Sequence, residues 1–396
     1  MQIPVAQRVL RLPESYVFGK IAKAKTAARE AGRTIYDFGI GDPNWGAPSE
    51  LIESIATSLR DTRTHDYPDT EGLPVYRQAW ADLYKLDWGV ELDPETEVHH
   101  LIGGKEGIAH APLPFVNPGN IVICPDPGYP VYDEGTIIAG GEPYYLPLLE
   151  ENGFLPDFES VPEEIARRAK IIWVNYPNNP TGAVADLGYF TRLARWGKRS
   201  ETMVFSDVTY SHINGSGQPT PSFLQAPGSM EIGVEFHSIS KTFSFTGARC
   251  AVVVGNQDII KGLHRIKSGM DSGGPDFIQE GVALHLLGCR ESIGDLNDAY
   301  SDRREAMQEM LRGLGFVPHD SDATFYVWAK NPPGFEDSEA FAYDLIEKTG
   351  VVCVPGKGLG RENGEGYTRW SVARTSIHDI EDAEPYISTY LSMRVG

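Results

Sequence analysis

The chain reads as an α/β protein in two parts: a seven-stranded, mostly parallel sheet covered by helices, and a smaller α+β domain. Three observations lead there. Its 396 residues are more than one ordinary hydrophobic core accommodates. Between residues 98 and 254, short and almost uninterrupted apolar runs alternate with Gly/Pro turns and helical stretches, the pattern of parallel strands covered on both faces. After Ser272 the strands become fewer and shorter. The expected division is an N-terminal segment, residues 1–45, that packs with the small domain; a large domain, 46–285; and a C-terminal small domain, 286–396.

Taken in order, Glu14 to Gly32 place alanines, lysines and apolar residues at helical spacing and stop at a glycine. Tyr36 to Pro43 reads as a short strand running into a turn. Glu50 to Arg60 is an amphipathic helix with Ser49, after Pro48, as its expected cap. The polar loop Tyr67 to Gly72 precedes a helix from Pro74 to Leu86. Seven strands are expected at Val98–Ile102, Ile121–Cys124, Pro143–Leu146, Ile171–Asn175, Thr202–Ser206, Val234–Ser238 and Cys250–Val254. A helical stretch from Pro275 to Arg312 breaks near Gly288–Gly294. Short segments follow at Gly315–His319, Ala323–Lys330, Val351–Pro355 and Thr368–Val372, with helices at Ser338–Lys348 and Asp379–Met393.

The formal charge is 35 − 55 = −20, which disfavours nucleic acid and anionic membrane as partners. No apolar run approaches the roughly 20 residues of a membrane span, and Met1 to Arg11 lacks the plan of a signal peptide. Cys124, Cys250, Cys289 and Cys353 lie far apart and read as thiols of a cytoplasmic protein. His99-His100 has no third ligand at metal spacing, so both are taken as strand residues and no metal is expected.

In parallel sheets ligands gather at the carboxyl ends of the strands, and the polar clusters fall there. Ser238-Ile239-Ser240-Lys241 follows one strand, with Arg249 eight residues after the lysine. A lysine in a dry cleft near other cations loses basicity and becomes a usable nucleophile. Two hydroxyls and a guanidinium are groups that hold a phosphate. An imine-forming amine beside a phosphate clamp points to pyridoxal 5'-phosphate. Gly103-Gly104-Lys105 offers backbone N–H groups to the same phosphate, and Pro125 to Pro130 stiffens a turn that presents Tyr129 to a planar ring. Asn179, in Asn178-Asn179-Pro180-Thr181-Gly182, carries an amide able to donate to a phenolate oxygen. Asp207 suits a protonated pyridine nitrogen, and Tyr210 the adjacent ring oxygen.

Asn179-Pro180-Thr181-Gly182, Asp207 with Tyr210, and Ser238-x-Ser240-Lys241 with Arg249 resemble, in order and spacing, the class I/II aminotransferases of fold type I. Gly104 to His110, Pro125 to Tyr132, Pro221 to Gln225 and Glu235 to Ser238 are similar to the LL-diaminopimelate aminotransferases. The resemblance implies a Schiff base on Lys241, which also shuttles the substrate proton, with Asp207 on the pyridine nitrogen and Asn179 and Tyr210 on the ring oxygen. It implies Tyr129 stacked on the ring, and Gly104, Lys105, Ser238, Ser240 and Arg249 around the phosphate. It further implies that Arg369 grips the substrate α-carboxylate and that Gly41 lines the pocket. By the same resemblance Tyr67 corresponds to a tyrosine that reaches the phosphate of a neighbouring subunit, which implies a homodimer with shared sites. The expected reaction moves an amino group from an amino acid to a 2-oxo acid. Ala248, Gly274-Pro275 and Asn44-Trp45-Gly46 depart from the family pattern. They motivate an alternative on the same cofactor, γ-elimination or replacement or carbon–carbon bond formation, for example on S-adenosylmethionine in specialised-metabolite biosynthesis.

Overall fold

The apolar runs pair as their composition demands. β1 (Tyr36–Asp37) comes first, and the next seven strands form one sheet: β2 (Val98–Leu101), β3 (Ile121–Asp126), β4 (Glu142–Pro147), β5 (Ala169–Asn175), β6 (Met203–Asp207), β7 (Gly233–Ser238) and β8 (Ala251–Gly255). Their order across the sheet is β2-β8-β7-β6-β5-β3-β4. All neighbours are parallel except at β8, which runs against both β2 and β7. Every residue of β2, β3, β7 and β8 is buried, so these strands carry no polar alternation. The computed structural model describes residues 3–13, 17–288 and 290–393; Glu14, where the first helix is expected to begin, and Cys289 lie outside them.

Register decides what the sheet delivers. Asn175 stands opposite Asp207, Asp207 opposite Phe236, and Ser238 opposite Ala251, so β5, β6 and β7 end side by side on one edge. Helices lock the sheet from outside. The helix Leu187–Ser200 is capped by Asp186, which accepts from the Tyr189 N–H at 2.6 Å, and it buries Phe190, Leu193 and Trp196. The helix Gln257–Lys267 is capped by Asn256, whose Oδ1 accepts from the N–H groups of Asp258 and Ile259; Ile259, Ile260, Leu263 and Lys267 face inward.

The remaining strands are β9 (Val317–Pro318), β10 (Tyr326–Lys330), β11 (Val351–Val352), β12 (Val354–Pro355) and β13 (Tyr367–Ser371). Four of them form an antiparallel sheet in the order β12-β13-β10-β9. Its core joins Phe325, Trp370, Phe341, Leu345 and Ile387. β1 pairs in parallel with β11, tying the N-terminal segment to this C-terminal body.

Three local expectations need correction. Ser49 is the first helical residue and not the cap; extended Pro48 occupies the cap position, and the Ser49 hydroxyl turns to Glu50. The run Val351–Pro355 is two strands, because its halves serve different partners, β11 pairing with β1 and β12 with β13. The helical break comes after His285, and Gly294 continues within the helix Arg290–Gly313; the cost of one helical glycine, ~1 kcal/mol, is small against tertiary packing. His99 and His100 are buried strand residues, with His99 Nε2 3.2 Å from His264 Nδ1. Among the described residues no helix is long and apolar enough to cross a membrane.

Candidate active site

At the carboxyl edge of the sheet lies a cleft of about 310 Å³. Lys241 enters it from the single turn Ile239–Thr242, which begins where β7 stops; Ser238 caps that turn by accepting from the Ser240 N–H at 3.1 Å. The Lys241 ammonium donates to the Gly41 carbonyl at 2.7 Å. Burial pushes its pKa down to about 8; Asp42 opposes the fall, and Arg369, Arg249 and Arg374 add to it. Arg374 is itself tied to the Asp42 carboxylate. Gly41 has no room for a side chain, since a Cβ there would overlap the Tyr326 hydroxyl.

Asp207 ends β6 and is buried. Its Oδ2 accepts from the Tyr132 hydroxyl at 2.8 Å, and its Oδ1 from the Thr209 hydroxyl at 2.7 Å and the Thr209 N–H at 3.1 Å. Burial raises its pKa, while the Thr209 and Tyr132 bonds work against the rise. Tyr132 is held by stacking on Trp173, ring centroids 4.9 Å apart. Asn175 braces the strand end: its Nδ2 donates to the Asp207 carbonyl, and its Oδ1 accepts from the Asn179 N–H, both at 2.8 Å.

Across the cleft, β13 carries Arg369 from the four-stranded sheet. Its Nη1 donates to Asn179 Oδ1 and its Nη2 to the Gly39 carbonyl, each at 2.9 Å. The guanidinium lies 4.2 Å over the Tyr326 ring, whose hydroxyl is 3.1 Å from that of Tyr210. The Arg369 Nε–H is buried with no partner among the described residues. At the other end, Ser238 Oγ bonds Ser240 Oγ at 2.9 Å. Arg249, in a left-handed conformation at φ +51°, folds back so that a Cβ on Gly103 would overlap its guanidinium. Tyr129 and Leu359 complete the wall.

A clasp holds Leu359 there. Gly128 N–H donates to the Leu359 carbonyl at 2.7 Å. Asp126, buried at the end of β3, accepts from the backbone N–H groups of Arg361, Glu362 and Asn363 and from the Asn363 amide, at 2.6–3.1 Å. Arg361 in turn donates to Asp133 at 2.6 and 3.1 Å.

The structure brings together Gly41, Gly104, Lys105, Tyr129, Asn179, Asp207, Tyr210, Ser238, Ser240, Lys241, Arg249 and Arg369 in this one cleft. Tyr67 is elsewhere: it is 92% exposed, beside Leu59 and Pro275. Sequence reasoning missed Asn175, Thr209, Tyr326 and Leu359 in the lining, and Tyr132 and Asp126 behind it. Tyr132 stood within a motif already singled out, and Thr209 between Asp207 and Tyr210, but Tyr326 reads locally as a core aromatic.

Comparison with known proteins agrees with this geometry. Residues 33–384 match the model of the family described as aminotransferase class I and II. The LL-diaminopimelate aminotransferase of Aquifex aeolicus is 44% identical over 95% of this chain and 96% of its own length, and that of Moorella thermoacetica 46% identical over 92% and 93%. The substrate-bound structure of BacF from Bacillus subtilis superposes with a TM-score of 0.93 at 32% identity, covering 98% of each chain. The curated relatives are named for amino transfer, which favours that chemistry over the elimination or carbon–carbon alternative. A lysine, a buried aspartate and an arginine converging on one sheet edge, within a fold matched along nearly the whole length, have a plain meaning: the chain belongs to the class I and II aminotransferases.

Proposed function

We propose that the cleft holds pyridoxal 5'-phosphate and that the enzyme transfers an amino group from LL-diaminopimelate, the amino acid in its relatives' names, to a 2-oxo acid. The observation that carries this reading is the buried Nε–H of Arg369, without a partner among the described residues, in the wall of the cleft that receives Lys241. An orphaned guanidinium donor in a dry site is costly unless a ligand anion meets it.

The residues fit the cofactor. Asp207 is a buried carboxylate with hydroxyl and amide donors but, among the described residues, no cation at hand; a protonated ring nitrogen supplies the missing charge. Ser238, Ser240, Arg249 and the backbone at Gly104 and Lys105 suit the phosphate, and Tyr129 suits the ring face. Asn179 Oδ1 is taken by Arg369, which leaves its amide N–H₂ to donate to the ring oxygen beside Tyr210. When bound, the cofactor supplies an aldehyde for the amino group and a ring that draws electrons from the substrate's α-carbon. Lys241, with its pKa near 8, takes the α-proton and returns it. Arg369 orients the α-carboxylate, and Leu359 with Tyr129 limits water. The exposed Tyr67 serves a second copy of the chain in a homodimer, each reaching the other's phosphate end. The acidic charge and the buried free thiols of Cys124, Cys250 and Cys353 fit a cytoplasmic setting.

The test is direct. Protein supplied with pyridoxal phosphate, LL-diaminopimelate and 2-oxoglutarate is expected to release glutamate, followed by mass spectrometry. Borohydride reduction and peptide mapping are expected to mark Lys241. No glutamate from this donor overturns the substrate; an unmarked Lys241 overturns the cofactor.

A further inference from the structure

Behind the cleft, Glu106, His110 and Asp271 bring ligand atoms within 4.8 Å of one another, a grouping able to hold a cation. The cation among them is a side chain. Lys267, 0% exposed, places its ammonium 2.9 Å from Glu106 and 3.1 Å from Asp271. A wholly buried lysine is rare and is retained where its charge is met.

What the two carboxylates do next gives the arrangement its meaning. Glu106 Oε2 accepts from the Ile102 N–H at 3.0 Å, closing the turn Ile102–Lys105 that contributes Gly104 and Lys105 to the cleft. Its other oxygen meets His110 at 2.7 Å and Lys267. Burial alone would raise the Glu106 pKa, yet His110 and Lys267 hold it down at about 2. Asp271 Oδ1 accepts from the Gly273 N–H at 3.0 Å, and Gly273 packs so closely on the Asp69–Thr70 backbone that a Cβ would sit 2.7 Å from the Asp69 carbonyl oxygen. Asp69 lies two residues after Tyr67. Gly274 is similarly constrained, because a Cβ there would overlap the His100 ring.

We propose that Lys267 is a positioning residue for the phosphate end of the cleft: one buried ammonium pins the Ile102–Glu106 turn on one side and the Asp271–Gly273 turn, which backs the Tyr67 loop, on the other. Lys267 touches neither cofactor nor substrate. Its removal leaves Glu106 with His110 alone and Asp271 without its ammonium, behind a turn that must receive a phosphate dianion, so both geometry and charge turn against that group. This rests on the cofactor reading above.

The experiment compares pyridoxal 5'-phosphate with pyridoxal, which lacks the phosphate, as ligands of the full-length apo-protein, with dissociation constants read from absorbance. Lys267→Met is expected to weaken pyridoxal phosphate at least about tenfold while pyridoxal changes less than about threefold. Asp271→Asn keeps the Lys267–Glu106 contact and is expected to weaken pyridoxal phosphate selectively by about threefold; it decides the matter if Lys267→Met does not fold. Equal losses for the two ligands, or no loss for either, overturn the inference. Wild-type protein that binds neither overturns it together with the cofactor reading, whereas selective wild-type binding without a variant effect overturns this inference alone.

Discussion

In the proposed role Lys241 has to be a free amine to capture an aldehyde, and burial brings that form within reach at mildly alkaline pH. Below about 8 the protonated form dominates, so the rate at which apo-protein develops colour with pyridoxal phosphate is expected to rise through that value and level off above it. A stopped-flow pH series that stays flat between 6 and about 9 would remove this account. Arg369 makes a second case. Lysine in its place keeps the charge but loses the fork shared among Asn179, Gly39 and the carboxylate, so Arg369→Lys is expected to raise the KM of both substrates roughly 10- to 100-fold. Steady-state kinetics check this. Lys241 was legible because it stands just past an apolar run, where a polar group in an α/β sequence has few other uses; Arg369, inside β13, was reached only through the family resemblance. Tyr326 and Tyr132 were not legible, since an aromatic among apolar neighbours looks the same whether its hydroxyl meets a ligand or a core partner.

At the scale of elements, the long strands of the seven-stranded sheet were readable from composition, as was a short strand at Tyr36, but the division of Val351–Pro355 into two was not. β11 and β12 exist because separate partners arrive from β1 and β13, information that no local window contains. Helix starts fall between. Asn256 makes two cap bonds to the helix that ends in Lys267, and Asn256→Ala is expected to cost about 1 kcal/mol, seen as a lowered midpoint in denaturant unfolding. The Asp126 clasp lies beyond sequence reasoning altogether, because its four donors are some 235 residues away. Asp126→Asn is expected to raise substrate KM several-fold, about three to ten, with pyridoxal phosphate retained, since Asp126 ties down the segment just after Leu359 and makes no contact with Lys241 among the described residues. Loss of cofactor in that variant would assign Asp126 a different task.

For the whole molecule, the question is what Tyr67 does so far from its own cleft. The proposed homodimer with shared sites makes a specific forecast. Tyr67→Ala and Lys241→Ala subunits, each inactive or nearly so alone, are expected to regain about a quarter of wild-type activity when unfolded together and reassembled, because half the dimers are mixed and each has one intact site. Absence of complementation would confine the site to one chain. Architecture also separates what is stiff from what is adjustable. Asn175, Asp207 and Ser238 end three neighbouring parallel strands; Asn175 and Asp207 are one ladder step apart, about 4.8 Å, and Ser238 stands two residues past the partner of Asp207, so all three are placed by backbone pairing. Leu359, Tyr129 and Arg369 arrive by loops or from the other sheet. The enzyme thus works like a vice with one jaw cast into its frame. Mutation can refit the opposing jaw to new side chains while the half proposed to grip the vitamin keeps its gauge.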